Sequence, residues 1–258
     1  MSQPGNGHLN EDMLRGFLAR ILGWSDECRA AIEHALCSLQ LSITLRAALV
    51  LLGDTPDLVS IAQALHRRTL GAERPFVVCD RRRFDMRDSA RLSLNHKSGV
   101  AAIEAARGGS LCVARAGLPR DFSSMVTIVR DPATSVQLIV CGEMGHADDP
   151  YLVKPVPIQV PPLTARVGEL TRIVDEYAQD AIATLDAFER DFTDADRGWV
   201  VAHAASTWAE LERVTMRIVA LRNSGTIVEA AERLGMKPAA LRGWIRKRKL
   251  TRRGEVRS

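Results

Sequence analysis

The chain has 258 residues, 46% of them apolar, which is enough to bury one large or two small cores. No apolar run approaches the length of a membrane span, the best being Ala47 to Leu52, and no basic-then-apolar secretory pattern opens the N-terminus. The formal charge of +4 is unevenly spread: from Lys237 onward nine Lys or Arg face one acid, Glu255, so this end carries +8 and residues 1–236 carry −4. A basic end on a mildly acidic body is the footprint of a phosphate-backbone binder. Cys28, Cys37, Cys79, Cys112 and Cys141 are odd in number and scattered, with no CxxC pair, and read as reduced, buried thiols of a cytoplasmic protein.

Residues 1–9 are polar and Gly/Pro-rich, and a flexible segment is expected over 1–19, although a helical period already runs from Glu11 to about Leu22. A second helical period runs from Ser25 to about Leu39. Ala47–Leu52 is a continuous apolar run of the kind found in buried parallel strands. After Gly53-Asp-Thr-Pro56 a helix is expected from Asp57 to Arg68. Further strands are expected at Phe76–Cys79, Ser110–Val113, Gln137–Cys141 and Ile158–Val160. Helices between strands argue for an α/β sheet covered by helices. At Pro161-Pro162 the character changes, and Thr164–Leu185, Asp194–Ala205 and Thr207–Arg222 all read as helices.

The last stretch carries the sharpest signal. Asn223, Ser224 and Gly225 break the helix, with Gly225 suited to a left-handed residue after its end. Thr226 caps a new helix, and Glu229 three residues on completes a capping box. That helix ends by Leu234, Gly235 permits a sharp turn, and Pro238 fits the first turn of the next helix. Ala231 is small enough for close approach, Leu234 forms a wall, and Leu241, Trp244 and Ile245 face inward. This spacing is that of a helix-turn-helix. Lys237, Arg242, Arg246 and Lys247 are left outward.

Ala230-Ala231, Leu234-Gly235, Leu241 and the trailing basic residues resemble the Fis-type helix-turn-helix that ends bacterial enhancer-binding activators, the NtrC-like AAA+ family, over about Arg222 to Leu250. In place of the Ser, Arg and Thr usual early in the family's recognition helix stand Lys237, Pro238, Ala239 and Ala240. From about Ile21 to Leu221 the order of fragments is similar to the AAA+ domain of the same activators. Leu51-Leu-Gly-Asp-Thr with Ala64-Leu-His66 resembles the phosphate-loop strand and helix, Arg74–Cys79 the next strand, Gly108–Val113 the metal-binding strand, and Val160-Pro-Pro-Leu163 the approach to the lid.

The resemblance implies an α/β fold: an AAA+-like parallel sheet with helices over 20–162, a helical lid over 163–206, and an all-α helix-turn-helix with basic tail over 207–258. It also shows what is missing. A phosphate loop needs GxxxxGK[ST], because backbone N–H groups cradle phosphates, Lys supplies charge and the hydroxyl holds Mg²⁺. Here Gly53-Asp-Thr-Pro-Asp-Leu58 has no second glycine and no lysine, with Leu58 about where the lysine belongs. Ala114-Arg115 replaces the metal-binding acid pair, and Glu143 the sensing asparagine. Val153-Lys154 falls where an arginine reaches a neighbouring subunit, and Ala209 where the lid arginine belongs. The GAFTGA loop that engages the alternative sigma factor is missing between Phe84 and Gly108. Phosphoryl transfer works by positioning and charge, so loss of all these groups implies no ATP hydrolysis.

No catalytic residue, cofactor or metal is expected. His146, Asp148 and Asp149 near Cys141 match no zinc spacing, Ser110 lacks a nucleophile elbow, and the Arg81–Arg83 run reads as solvated surface. Trp199 and Trp208 read as core. The expected function is a cytoplasmic, nucleoid-associated DNA-binding transcriptional regulator; the alternative is a protein that joins intact AAA+ activators and modulates them. The expected partners are double-stranded DNA, a second copy of the chain, and AAA+ activators or RNA polymerase components, with no membrane. The expected DNA-contacting residues are Lys237, Ala239, Ala240, Arg242, Gly243, Arg246, Lys247, Lys249, Arg252 and Arg253, with Arg242 reading a base. Arg246, Lys247, Arg248, Lys249, Arg252 and Arg253 come where the helix leaves the groove and are expected mostly on phosphates. Helix 207–222, with Trp208, Leu211, Val214, Ile218 and Leu221 in a stripe, is the expected dimer element.

Overall fold

The computed structural model describes residues 10–45, 47–82, 95–143 and 156–250, which fall into two compact units divided after Pro161. The first unit is α/β. Its helices are α1 (Glu11–Leu22), α2 (Arg29–Thr44), α3 (Thr55–Thr69), α4 (Gly99–Ala105) and α5 (Phe122–Arg130). Its strands are β1 (Leu49–Leu52), β2 (Phe76–Cys79), β3 (Asn95–His96), β4 (Ser110–Ala114), β5 (Gln137–Gly142) and β6 (Ile158–Gln159). All pair parallel, in the order β3-β2-β4-β5-β1-β6. The fold class is the α/β sheet with helices, followed by helices, that the sequence leads one to expect.

The apolar runs become strands because helices cover both faces, so no position need be polar. Leu49–Leu52 and Gln137–Gly142 are buried at every residue. On one face Leu52, Val113 and Val140 pack with Ile103 of α4 and Met125 and Val129 of α5. The other face carries a buried polar chain: His66 Nε2–H donates to the Arg74 carbonyl (3.0 Å), and Nδ1 lies 2.8 Å from the Ser110 hydroxyl, which contacts Gln137 (2.9 Å). Burial pushes the His66 pKa down.

Three corrections concern this unit. Residues 11–19 lie within the segment expected to be flexible, yet they belong to α1, whose Leu14, Phe17, Leu18 and Ile21 are buried. The stripe at helical spacing docks the helix on the core. Cys37 is exposed and Cys28 half-buried, so burial holds only for Cys79, Cys112 and Cys141. Cys112 and Cys141 place their sulfurs 3.6 Å apart, and the Cys141 thiol is pushed up by that hydrogen bond and by burial. Strand β3 was not expected; it is two polar residues long and is held by side chain as much as backbone, Asn95 accepting from the Asp80 N–H at 3.0 Å.

The second unit is helical among its described residues. A 3₁₀ segment, Leu163–Glu169, precedes α6 (Leu170–Leu185), so the helix expected from Thr164 starts later; Arg166 at φ −121° and ψ 31° breaks the helical path. Next come α7 (Asp194–Ala204), α8 (Trp208–Arg222), α9 (Ile227–Arg233) and α10 (Pro238–Lys247). The segments expected as lid and reader thus share one unit. Trp199, Trp208, Leu211 and Val200 lie in its core. Asp196 is buried and does two tasks: it accepts from Thr193 at the start of α7, and it pairs with Arg222 at the end of α8 at 2.6 Å.

Candidate nucleic-acid interface

α8, α9 and α10 build the interface from local signals. α8 ends at Arg222, and Asn223 caps it at φ −86°, so the left-handed residue expected at Gly225 is absent. Gly225 serves otherwise: its N–H donates to the Glu229 carboxylate at 2.9 Å, while the Glu229 N–H donates to the Thr226 hydroxyl at 3.1 Å. The capping pair forms, with the carboxylate reaching one residue further back than a capping box requires. Past α9 the left-handed residue is Gly235, at φ 63°. The Met236 N–H donates to the Ala231 carbonyl and the Gly235 N–H to that of Glu232, each at 2.9 Å, which satisfies carbonyls at the helix end. Pro238 opens α10 at its first turn, where a missing N–H costs nothing.

The turn folds α10 across α9. Ala230, Ala231, Leu234, Leu241 and Trp244 are buried, and Ile245 is half-buried. Lys237, Ala239, Ala240, Arg242, Arg246, Lys247 and Lys249 are exposed, and Gly243 is half-buried. The expected contact residues up to Lys249 therefore lie on the surface of one short segment; Arg252 and Arg253 lie outside the described residues. A Cβ on Gly243 would meet nothing within 4 Å, so the protein's own packing does not require glycine there. Lys249 sits at φ 50°, a left-handed position that suits glycine.

Arg248 is corrected. It was expected on phosphates, but it is half-buried, paired with Glu210 of α8 and stacked against Trp244 with its guanidinium carbon 5.4 Å from the ring centroid. It fastens α10 to α8. Arg233 does the same for α9, donating to the Leu185 carbonyl at 3.0 Å.

The expected dimer element is corrected too. Trp208, Leu211, Val214 and Ile218 are at most 1% exposed within the protomer, because α8 packs on α6 of its own unit. The period is real, but its apolar face is already covered. The opposite side of α8 carries residues that the sequence reading passed over. Arg217 places its guanidinium 5.2 Å from the Trp244 ring, and Arg213 lies one turn earlier. Their four-residue spacing, offset from the apolar stripe, is the signal that could have found them.

In the α/β unit, the turn expected to resemble a phosphate loop is short and closely packed. Only Gly53 and Asp54 separate β1 from α3. The Gly53 N–H donates to the Gly142 carbonyl at 3.0 Å. A Cβ on Gly53 would stand 2.8 Å from the Val160 carbonyl, so the chain passes too close for any larger residue. Leu58 has no exposure at all. Ala114 is buried at the end of β4, and Glu143 is exposed just beyond β5. Val153-Lys154, His146, Asp148, Asp149 and much of the segment from Phe84 to Gly108 lie outside the described residues.

No protein-family model matches the chain, and no curated protein matches it. Solved structures of NtrX from Brucella abortus are similar. The one in complex with ADP is 14% identical, with 86% of this chain and 69% of that chain covered and a TM-score of 0.45. The one in complex with ATP is 15% identical, covering 93% and 72% at 0.44. A third NtrX structure is 15% identical, covering 93% and 71% at 0.44. No helix among the described residues is long and apolar enough to cross a membrane.

Proposed function

We propose that the chain is a DNA-binding transcriptional regulator in which a helix-turn-helix reads duplex DNA and an AAA+-like body serves assembly or partner contact without hydrolysing ATP. The observation that carries the reading is the two-faced α10: Leu241 and Trp244 are buried inward, while Lys237, Arg242, Arg246 and Lys247 are exposed outward. A helix of this size and charge fits the major groove. In this reading Arg242, exposed beside Gly243, meets a guanine edge with its forked donors, while Arg246, Lys247 and Lys249 contact the backbone. Ala239 and Ala240 leave room for the backbone to lie close to bases.

The closed turn at Gly53 and buried Leu58 support the absence of hydrolysis. Binding as a pair on half-sites about 34 Å apart belongs to the same proposal, with a surface other than the α8 stripe. DNA binding would place the protein on the nucleoid.

Footprinting on genomic fragments, run beside a size measurement, tests the reading. A discrete set of protected sites with the protein alone is the expected outcome. Protection only when an AAA+ activator is present would favour a subunit that modulates such activators. ATP turnover above a contaminant control, abolished by changes around Gly53, would overturn the non-hydrolysing body.

A further inference from the structure

We propose that Arg213 and Arg217 of α8, with Arg248 beside them, form a seat for a phosphate of the DNA backbone, outside the helix-turn-helix itself. This rests on the DNA-binding reading and extends the contact surface to a helix that the reading does not use.

The charges where α8 meets α10 are out of balance. Arg217 and Arg248 approach the same indole, their guanidinium carbons 5.2 and 5.4 Å from the Trp244 centroid. Arg248 is answered by Glu210. Among the described residues no carboxylate pairs with Arg217 or Arg213. Three cations thus share one acid at the junction of α8 and α10. Arg217 is half-buried, and its pKa is pushed down to about 10, first by loss of water and then by the charges of Arg213 and Arg248. The free protein therefore holds a charge that its own surroundings disfavour.

Stacking on Trp244 offsets part of that cost, since a cation over an indole is attracted by the ring. It does not answer the repulsion from two neighbouring arginines. An anion does. A guanidinium pair presents a rigid fork of donors matched to phosphate oxygens. Trp244 sits on the inner face of α10, so its position sets the seat beside the helix proposed to enter the groove, where the phosphate strand flanking that groove would run.

The test uses the full chain and a random-sequence duplex, with binding measured across a salt series. Arg217→Met keeps the apolar stem and removes the charge, and exposed Arg213→Gln is a second variant with little risk to folding. Each is expected to reduce the magnitude of the log K against log salt slope by about 0.9, the value for one lost phosphate contact. The melting temperature of free Arg217→Met is expected to be unchanged or higher. An unchanged slope in both variants, with Arg217→Met melting lower, would show that Arg217 only packs on Trp244 and would overturn the seat. Inorganic phosphate separates the two sources of the anion: if it raises the melting temperature in an Arg217-dependent way while both slopes stay unchanged, the site takes free phosphate and the DNA-backbone seat is wrong. Wild-type protein that fails to bind duplex even at low salt overturns the DNA reading and this inference together, whereas wild-type binding with unchanged variant slopes overturns this inference alone.

Discussion

Two glycines contrast the two regions of the molecule. Gly53, in the turn after β1, is required by the protein itself: a Cβ would lie 2.8 Å from the Val160 carbonyl, and its N–H is taken by Gly142. Gly243, midway along α10, has open space around it. Where the body could have opened a cradle, its own backbone and Leu58 fill the space. Where the helix could have packed, it presents exposed cations and an uncovered backbone. The lesson is that a residue type which internal packing does not explain is the better pointer to an external partner.

The strongest way to break the contrast is to restore the phosphate-loop lysine. Leu58→Lys places a charge in a site with no exposure, and the expected result is a loss of at least about 3 kcal/mol in denaturant unfolding, with no nucleotide binding gained. A folded variant that binds ATP would show that the site retains a cradle. Next comes the helical unit. Asp196→Ala removes the buried carboxylate that pairs with Arg222 and that accepts from Thr193 at the start of α7, which is expected to cost about 3 kcal/mol. Stability within 0.5 kcal/mol of wild type, an order-of-magnitude threshold for a surface change, would show that the pair contributes little.

Two predictions sharpen the reader's side. Arg242→Ala is expected to lower the preference for a cognate site over random DNA by roughly 1–3 kcal/mol, with a smaller loss on random DNA. Equal losses on both would leave Arg242 a phosphate contact. Gly243→Ala is expected to act with opposite signs. Alanine favours the helix by up to about 1 kcal/mol, yet its methyl intrudes where the backbone approaches DNA, so melting should rise while binding weakens. Binding that strengthens with stability would remove the close approach.

Much of this was legible in the sequence. The buried strands announced themselves because both faces are covered, and α9 and α10 because Thr226, Glu229, Gly235 and Pro238 each carry a local reason. What was hidden depends on tertiary neighbours. The α8 stripe gives its period but not its cover, and the cover is α6 of the same chain. Arg248 looks like any tail cation until Glu210, 38 residues away, is beside it. Gly225 and Gly235 read alike, and only the capping carboxylate of Glu229 separates them. β3 has no apolar pattern to read.

The smallest expected effect sharpens the body's side. Burial lowers the His66 pKa, so the folded state binds fewer protons than the unfolded chain near the ordinary histidine value of 6.5. Its contribution is present above that value and is lost as pH falls through it toward the lower folded pKa. Unfolding free energies at pH 7.5 and 5.5 should therefore differ more in wild type than in His66→Gln. An equal difference in both would place the pH dependence elsewhere.

The most direct test of the central claim is duplex binding by the full chain across a salt series, beside a variant in which Lys237, Arg242, Arg246 and Lys247 are all alanine. Wild type is expected to bind tightly at low salt with a slope of about 0.9 per phosphate contact, and the folded variant to bind weakly with a shallower slope. Wild-type protein that does not bind, or a variant that binds as wild type does, would contradict it.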